Sequence, residues 1–243
     1  EVGAPLGYRT RFNAVTTRNG DLGFKQARSN KVIPVSDCRI LQPEVKYQEL
    51  TSRKWKGDLR VEVTLSSAGE RTIATGYSRD ETPVRTSEGP DIGQYSINGF
   101  NLEVSQRSFW QSHKLAPAVL TKVVTEFAEV KAGDQVLDLY GGVGLFTSQL
   151  LELVGDAGQI DLVEGSKSAT ADAKRNFAAH PNVNIVTASV ERAITRIDGG
   201  DVVILDPPRE GAFALSKALA ELNENQDLRQ GWTPPKRIVY VCC

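Results

Sequence analysis

The stretch formed by residues 135–146 constrains the fold of this chain more than any other. It begins with a short apolar run of the kind found in a fully buried strand, and glycines at residues 141–144 separate that run from a helical pattern that begins near Leu145. Such a turn lets the backbone approach a ligand, and the N-terminus of the helix points towards it. About twenty residues later a second apolar run ends in Glu164, where a carboxylate can bind ribose hydroxyls. Glycines alone also fit an ordinary tight turn, but glycines and acid together predict a site for a nucleoside-containing cofactor.

Two cofactors fit a strand, turn and helix of this kind. The fingerprint for NAD needs a third glycine three positions after the second, and Thr147 stands there instead. Asp138 and Tyr140, which precede Gly142 and Gly144, resemble the first motif of the S-adenosyl-L-methionine (SAM) methyltransferases. This stretch therefore favours SAM over NAD.

Apolar strands alternate with helices from residue 135 onward, which predicts a parallel sheet covered on both faces with ligands at the carboxyl ends of its strands. The predicted strands are 135–139, 159–163, 183–187, 202–205 and 237–242, and the predicted helices are 115–130, 145–154, 166–179, 189–197 and 212–223. The earlier part of the chain is strand-rich: we predict strands at 8–15, 22–24, 32–35, 40–41, 59–65, 71–77 and 95–104, a helix at 45–54 and a loop at 79–94. The predicted fold class is α/β. A Rossmann-like SAM methyltransferase domain (residues 108–243), expected to be truncated at its C-terminal end, follows a smaller strand-rich α+β domain (residues 1–107).

Composition and charge argue against a strongly basic chain, a disulfide-rich chain and a membrane-spanning chain. The formal net charge of −1 is not that of a strongly basic chain, but residues 1–80 hold 14 Lys and Arg against 9 Asp and Glu, whereas residues 81–243 hold 15 against 21. A basic front part is compatible with contact to an anionic polymer. Three cysteines are too few for a disulfide framework and predict a reducing, cytoplasmic setting. No apolar run reaches the roughly 18 residues of a membrane span, and the two histidines match no metal spacing.

A second informative motif follows the strand at 202–205. Asp206 is followed by Pro207, Pro208 and Arg209, and the prolines fix the backbone around the carboxylate. The motif fits a stiff turn with Asp206 as a helix cap, but it also resembles the fourth motif of nucleic-acid base methyltransferases. Enzymes of that kind that modify exocyclic amines usually carry an aromatic residue after the prolines, and Arg209 indicates a different branch.

The last residues indicate which branch. Residues 237–243 (Arg-Ile-Val-Tyr-Val-Cys-Cys) resemble the strand that leads to the nucleophile of the RNA uracil-5 methyltransferases, which form 5-methyluridine in tRNA and 23S rRNA. Phe109, Trp110 and Gln111 resemble a signature that precedes the methyltransferase domain of this family. Residues 7–11, 23–24 and 35–38 resemble its central, RNA-contacting domain, so the resemblance covers nearly the whole chain.

The resemblance implies a role for each matching residue. Cys243 would be the nucleophile, although a cysteine at a strand end is by itself more often a small buried hydrophobe. Asp206 would contact both the cofactor and the uracil edge. The implied SAM contacts are Gln111, Tyr140, Gly142, Gly144, Glu164 and Asp206. Ser189 stands where the family often has an acid that meets the adenine.

Other expectations concern partners and missing segments. The resemblance implies a monomer that acts on RNA, and on 23S rRNA more than on tRNA. It also places the general base beyond Cys243, so we expect the chain to be a fragment. Cys38 resembles the fourth ligand of an iron–sulfur cluster in some members, but one cysteine cannot hold a cluster. Two alternatives stay open: a SAM methyltransferase with another acceptor, such as an exocyclic amine of a base, and an RNA-binding module without turnover.

Overall fold

The computed structural model describes residues 3–78, 84–194, 196–224 and 234–242. The chain divides into two compact units. Unit 1 comprises Glu1–Ser96 and Glu103–Pro117, and unit 2 comprises Ile97–Leu102 and Ala118–Cys243. The boundary predicted between residues 107 and 108 stays a prediction.

Unit 1 is built on a six-stranded antiparallel sheet. Its strands are Arg11–Thr16 (β1), Leu22–Lys25 (β2), Val32–Pro34 (β3), Leu59–Leu65 (β4), Arg71–Tyr77 (β5) and Arg85–Glu88 (β6), in the order β3-β2-β1-β4-β5-β6. Alternation along β4 places Val61, Val63 and Leu65 in the core. A 3-10 turn, Pro43–Val45, and a short helix, Tyr47–Ser52 (α1), contribute buried residues to the same core.

A two-stranded hairpin follows this sheet in the chain. Ile92–Ile97 (β7) pairs with Phe100–Ser105 (β8). Asn98 and Gly99 form the turn with positive φ angles of 48° and 90°, as a tight hairpin turn requires.

Three predictions in this part of the chain are wrong. Residues 85–88 and 92–94, predicted as loop, lie in β6 and β7. Residues 98–99, predicted within a strand, are a turn. The strand predicted at 40–41 is reduced to an isolated bridge between Leu41 and Arg9, and Leu41 also closes a turn by donating its N–H to the carbonyl of Cys38 at 3.1 Å.

Unit 2 is a five-stranded parallel sheet with helices on both faces. Its strands are Gln135–Leu139 (β9), Gln159–Glu164 (β10), Val183–Thr187 (β11), Val202–Leu205 (β12) and Arg237–Tyr240 (β13), in the order β11-β10-β9-β12-β13. Its helices are Ala116–Ala128 (α2, which begins at the end of unit 1), Leu145–Val154 (α3), Lys167–Asn176 (α4), Val190–Ala193 (α5) and Phe213–Glu224 (α6). The α/β fold class predicted from the alternating pattern is confirmed.

Each face of the parallel sheet has its own core. Successive side chains of β9 point to opposite faces, so that Leu137 packs with residues of α5 and α6, whereas Val136 packs with residues of α2 and α3. All four residues of β12 are buried. A strand that is buried on both faces needs a continuous apolar run, which is why the sequence signal here was strong.

Four elements of unit 2 are shorter than predicted: α2 and α4 lose residues at both ends, and the other two are a helix and a strand. The helix expected at 189–197 is a single turn, α5, and the strand expected at 237–242 ends at Tyr240. The ladder extends by one further bond, in which Val241 donates its N–H to the carbonyl of Leu205 at 2.7 Å. No helix within the described residues combines the length and apolar character that crossing a bilayer would require.

Candidate functional site

The carboxyl ends of β9, β10 and β12 lie side by side at one edge of the parallel sheet. Leu139 of β9 is in register with Val163 of β10 and with Leu205 of β12. The residues that follow these three positions are Tyr140 with its glycine turn, Glu164 and Asp206. The structure therefore brings together most of the residues that the sequence predicts for the site, and their roles stay predictions.

The turn after β9 has an unusual backbone. Tyr140, Gly142 and Gly144 all have positive φ angles, of 62°, 57° and 94°. A Cβ atom on Gly142 would meet nothing within 4 Å, so the space beside this backbone is free for a ligand. A Cβ atom on Gly144 would lie 2.2 Å from the ring of Phe177. Packing thus explains the second glycine, whereas conformation and open space explain the first.

Glu164 is fixed against this turn by two backbone donors. One carboxylate oxygen accepts the N–H of Gly142 at 3.1 Å, and the other accepts the N–H of Ser166 at 2.6 Å. A carboxylate offers about four lone-pair positions, so further donors can still bind. Glu164 is half-buried. Its orientation and remaining capacity suit it to accept from a diol such as a ribose.

Asp138 is the most deeply buried acidic group at this edge of the sheet. It is fully buried, and one carboxylate oxygen, Oδ2, accepts from the N–H and the hydroxyl of Thr147 at 3.1 and 2.6 Å. The other oxygen, Oδ1, has no partner among the described residues. Burial raises the pKa of Asp138 to about 6, and the nearby charges of Asp206 and Glu164 add to the effect, while the bonds from Thr147 oppose it.

An unpartnered buried carboxylate oxygen calls for an explanation. A donor or a positive charge that binds beside Asp138 would complete its bonds and favour its ionised form. SAM carries both an ammonium and a sulfonium group. The open backbone at Gly142, the diol-binding capacity of Glu164 and the unpartnered oxygen of Asp138 together fit this cofactor.

Tyr140 has a partner that the sequence analysis missed. Its hydroxyl donates to the carboxylate of Glu191 at 2.8 Å. Burial, together with Glu191, raises the pKa of Tyr140, so the phenol stays protonated and remains a donor. Ser189 was expected to take the place of an acid here; Glu191 instead provides an acid two residues later, in the one-turn helix α5.

The C-terminal end of α4 supports the glycine turn. The Asn176 side-chain amide donates to the carbonyl of Val143 at 3.0 Å, and the ring of Phe177 packs against Gly144. Phe177 also contacts Phe100, with 5.6 Å between ring centroids. Neither Asn176 nor Phe177 carries a local motif, because only the fold brings them under the turn.

Asp206 lies in a rigid segment. Its N–H reaches the carbonyl of Leu139 at 3.3 Å, and the N–H of Gly211 closes a turn onto the carbonyl of Pro208 at 2.8 Å. Burial raises the pKa of Asp206. A partly desolvated carboxyl group is therefore held beside the turn that follows β9.

Three predicted residues are not among those that the structure brings together at this edge: Cys243, Gln111 and Cys38. Cys243 falls outside the described residues; Cys242, which precedes it, is exposed. Gln111 belongs to unit 1, and its cofactor contact stays a prediction. Cys38 is partly buried against the core of unit 1. Among the described residues no group of three or more His, Cys, Asp or Glu could hold a metal ion.

The chain resembles several RNA methyltransferases in sequence. It is 31% identical over 259 residues to an uncharacterized RNA methyltransferase of Streptomyces coelicolor, in a match that covers 97% of this chain and 54% of that protein. It is 27% identical over 294 residues to the 23S rRNA (uracil(1939)-C(5))-methyltransferase RlmD of Ralstonia pickettii, with 100% of this chain and 63% of that protein covered. No protein-family model matches. The chain spans between about half and two thirds of the length of these relatives.

A solved structure shows the same fold. The tRNA (uracil-54, C5)-methyltransferase of Pyrococcus abyssi, determined in complex with S-adenosyl-L-homocysteine, superposes with a TM-score of 0.72 at 19% identity, covering 98% of this chain and 66% of that one. The resemblance to the RNA uracil-5 methyltransferases that the motifs predict is confirmed by the sequence relatives together with this fold.

Proposed function

We propose that this chain, a relative of the RNA uracil-5 methyltransferases, forms part of an enzyme that transfers a methyl group from SAM to C5 of a uridine in RNA. The observation that carries the proposal is the meeting of Glu164, the glycine turn and Asp206 at one edge of the parallel sheet. The cofactor elements and the Asp-Pro-Pro-Arg motif are thereby neighbours, as transfer between a cofactor and a base requires.

The residues after β9 and β10 would hold the cofactor. Glu164 would accept from the ribose hydroxyls, Tyr140 would lie along the nucleoside, and the backbone at Gly142 and Gly144 would admit close approach. Asp138 would compensate the positive charge of the methionine part through its unpartnered oxygen. Gln111 is proposed as a further contact on the strength of its motif. When bound, SAM supplies a methyl group on a positively charged sulfur, which makes that carbon electrophilic.

Asp206 would position the acceptor. Its carboxyl group is held by Pro207 and Pro208 at the end of β12 and is partly desolvated, which raises its pKa. A desolvated carboxyl group forms stronger hydrogen bonds than an exposed one. It suits the uracil edge, whose N3–H is a donor. The base would be flipped out of a stem or loop to reach this edge.

A covalent step through Cys243 would activate the base. Uracil C5 is a poor nucleophile, so the thiolate adds to C6, a carbon–sulfur bond forms, and the electron pair of the C5–C6 double bond moves into an enolate. C5 would then accept the methyl group that SAM supplies, and the carbon–sulfur bond of the donor would break with its electron pair left on sulfur. Loss of the C5 proton to a base restores the double bond and expels the thiolate. The support is the sequence pattern at residues 237–243 and the parallel pairing of β13 with β12, in which Tyr240 is in register with Leu205, the residue before Asp206.

The proposed substrate is 23S rRNA rather than tRNA. Sequence relatives such as the Ralstonia pickettii protein carry the 23S rRNA name. The Pyrococcus abyssi tRNA enzyme supports the shared fold only.

The test is a trapping experiment with RNA that contains 5-fluorouridine, incubated with the protein and SAM. Fluorine at C5 cannot leave as a proton, so the enzyme stays attached to the RNA as an adduct that survives denaturing electrophoresis. Cys243→Ala is expected to abolish the adduct, and the matched Cys242→Ala variant is expected to keep it. If Cys243→Ala forms the adduct and Cys242→Ala does not, the nucleophile is Cys242 and the proposed role of Cys243 is wrong.

The two alternatives give different results with ordinary RNA and radioactive SAM. Methylation of an exocyclic amine needs no nucleophile, so Cys243→Ala would still label the RNA. An RNA-binding module without turnover would bind RNA and transfer no label. The covalent mechanism requires that Cys243→Ala fails to label the RNA and that Cys242→Ala still labels it.

A further inference from the structure

The hairpin formed by β2 and β3 is strongly and uniformly basic. Residues 22–34 include Lys25, Arg28 and Lys31 and no acidic residue. All three side chains are exposed, and β3 is the edge strand of the six-stranded sheet. We call this segment, residues 22–34, the basic hairpin.

The positive charge of the basic hairpin is not neutralised within unit 1. Two acidic residues elsewhere in this unit are engaged with other cations: Glu49 pairs with Arg53 and Arg71, and Glu88 also pairs with Arg53. Within the part of the chain that the structure describes, none of the three hairpin cations contacts a carboxylate. The basic hairpin therefore presents three positive charges, unpaired among the described residues, at one edge of the sheet.

Arg28 occupies an unfavourable backbone conformation. It lies in the loop of the hairpin with φ at 57°, in the left-handed region that glycine and asparagine adopt more readily. An Asn at this position would relieve strain. The side chain of Arg28 is exposed at this loop, so its guanidinium is accessible to an anion outside the chain.

We infer that the basic hairpin is a docking arm for the phosphate backbone of the RNA substrate. Lys25, Arg28 and Lys31 are spaced along one exposed hairpin at the edge of the sheet, which suits a polyanion better than a compact ligand. Contacts of this kind fix the position of the RNA and provide affinity, but they do not read its sequence. The inference rests on the proposed function, since it takes RNA as the anionic partner.

The test compares two variants that remove the same charge. The hairpin variant carries Lys25→Gln, Arg28→Gln and Lys31→Gln, and the control carries Lys122→Gln, Lys131→Gln and Lys217→Gln, three exposed lysines of unit 2. Binding of a fluorescein-labelled RNA stem–loop with a uridine in its loop is measured by anisotropy across a range of salt concentrations. Each lost phosphate contact lowers the slope of log K against log salt by about 0.7–0.9, so the hairpin variant should lose roughly 2–3 from the slope. The control should keep most of the wild-type slope and affinity.

A single substitution separates binding from folding. Arg28→Asn should leave the Tm equal to or above that of the wild type, because it relieves the backbone, and should lower the slope by roughly one phosphate contact. Binding of S-adenosyl-L-homocysteine to unit 2 serves as the readout of an intact cofactor site and should not change.

The failures are distinguishable. RNA binding by the wild type that the hairpin variant retains in full, or loses no more than the control does, overturns the docking arm and leaves the proposed function standing. A wild-type protein that does not bind RNA overturns both.

Discussion

The ring of Phe177 occupies the space that a side chain on Gly144 would need: a Cβ atom there would lie 2.2 Å from one ring carbon and 2.6 Å from another. Phe177 is itself buried and backed by Phe100. The conformation of the glycine turn thus depends on packing against Phe177 as well as on the ability of its glycines to adopt positive φ angles.

This packing predicts different results for alanine at the two glycines. Gly144→Ala combines a positive φ of 94° with a direct clash, and we expect a loss of roughly 2–4 kcal/mol in the free energy of unfolding together with loss of cofactor binding. Gly142→Ala meets no atom within 4 Å, and its backbone strain should cost only about 1 kcal/mol. Urea unfolding and calorimetric titration with S-adenosyl-L-homocysteine measure both effects.

A double variant tests the cause. If the clash dominates, Phe177→Ala combined with Gly144→Ala should be more stable than the sum of the single changes predicts, because the truncated side chain leaves room for the methyl group. Strictly additive changes would attribute the glycine requirement to backbone conformation alone.

Asp138 should make the stability of unit 2 depend on pH. Its pKa is about 6 in the folded chain, above its ordinary value of 3.8, so the folded state binds more protons than the unfolded state between these pH values. The free energy of unfolding therefore falls by on the order of 2–3 kcal/mol as the pH rises from about 4 to about 6. Above pH 6 this contribution is constant. Asp138→Asn removes this titration, so the variant should gain stability relative to the wild type as the pH rises through this window. A difference between the two proteins that does not change with pH would contradict the assignment.

How much of the fold was predictable depended on burial. β9 and β12 have the bounds that the sequence indicates, because the short apolar runs of strands buried on both faces leave little choice. β6 was missed because its side chains are mostly exposed and show no alternation. Asn98 and Gly99 are a known hairpin signal, but the strand-forming residues on both sides favoured one continuous strand.

The site was predictable where residues follow one another in the chain and less so where the fold assembles them. The glycine turn, Glu164 and Asp206 each follow an apolar strand, so the carboxyl edge of a parallel sheet collects them. Glu191 lies in a helix that is much shorter than predicted, and Phe177 follows the last residue of α4, so contact with the turn leaves no trace in local sequence. Asp138 did leave a signal: an acid within a strand that is otherwise buried on both faces.

The hydrogen bond between Tyr140 and Glu191 should contribute modestly to cofactor binding. It is 2.8 Å long but exposed to solvent, and a bond of this kind is worth about 0.5–1.5 kcal/mol. We expect Tyr140→Phe and Glu191→Gln each to weaken S-adenosyl-L-homocysteine binding by a few-fold, because each loosens the tyrosine ring beside the turn. In a double-mutant cycle the two changes should be less than additive. Fully additive effects would mean that the bond does not position Tyr140.

Cofactor binding should also respond to the protonation of Asp138. A positively charged ligand favours the ionised carboxylate, so binding lowers the pKa of Asp138 and takes place with release of a proton when the free group is protonated. The pKa of Asp138 is about 6 in the protein without ligand. The affinity for S-adenosyl-L-homocysteine, which keeps the ammonium group, should therefore fall as the pH drops below 6 and level off above pH 6. Titration calorimetry in buffers of different ionisation enthalpy would detect the released proton directly. Asp138→Asn should bind more weakly at neutral pH and lose most of this dependence. If the wild type and Asp138→Asn show the same pH profile, the unpartnered oxygen of Asp138 does not face the cofactor's charge.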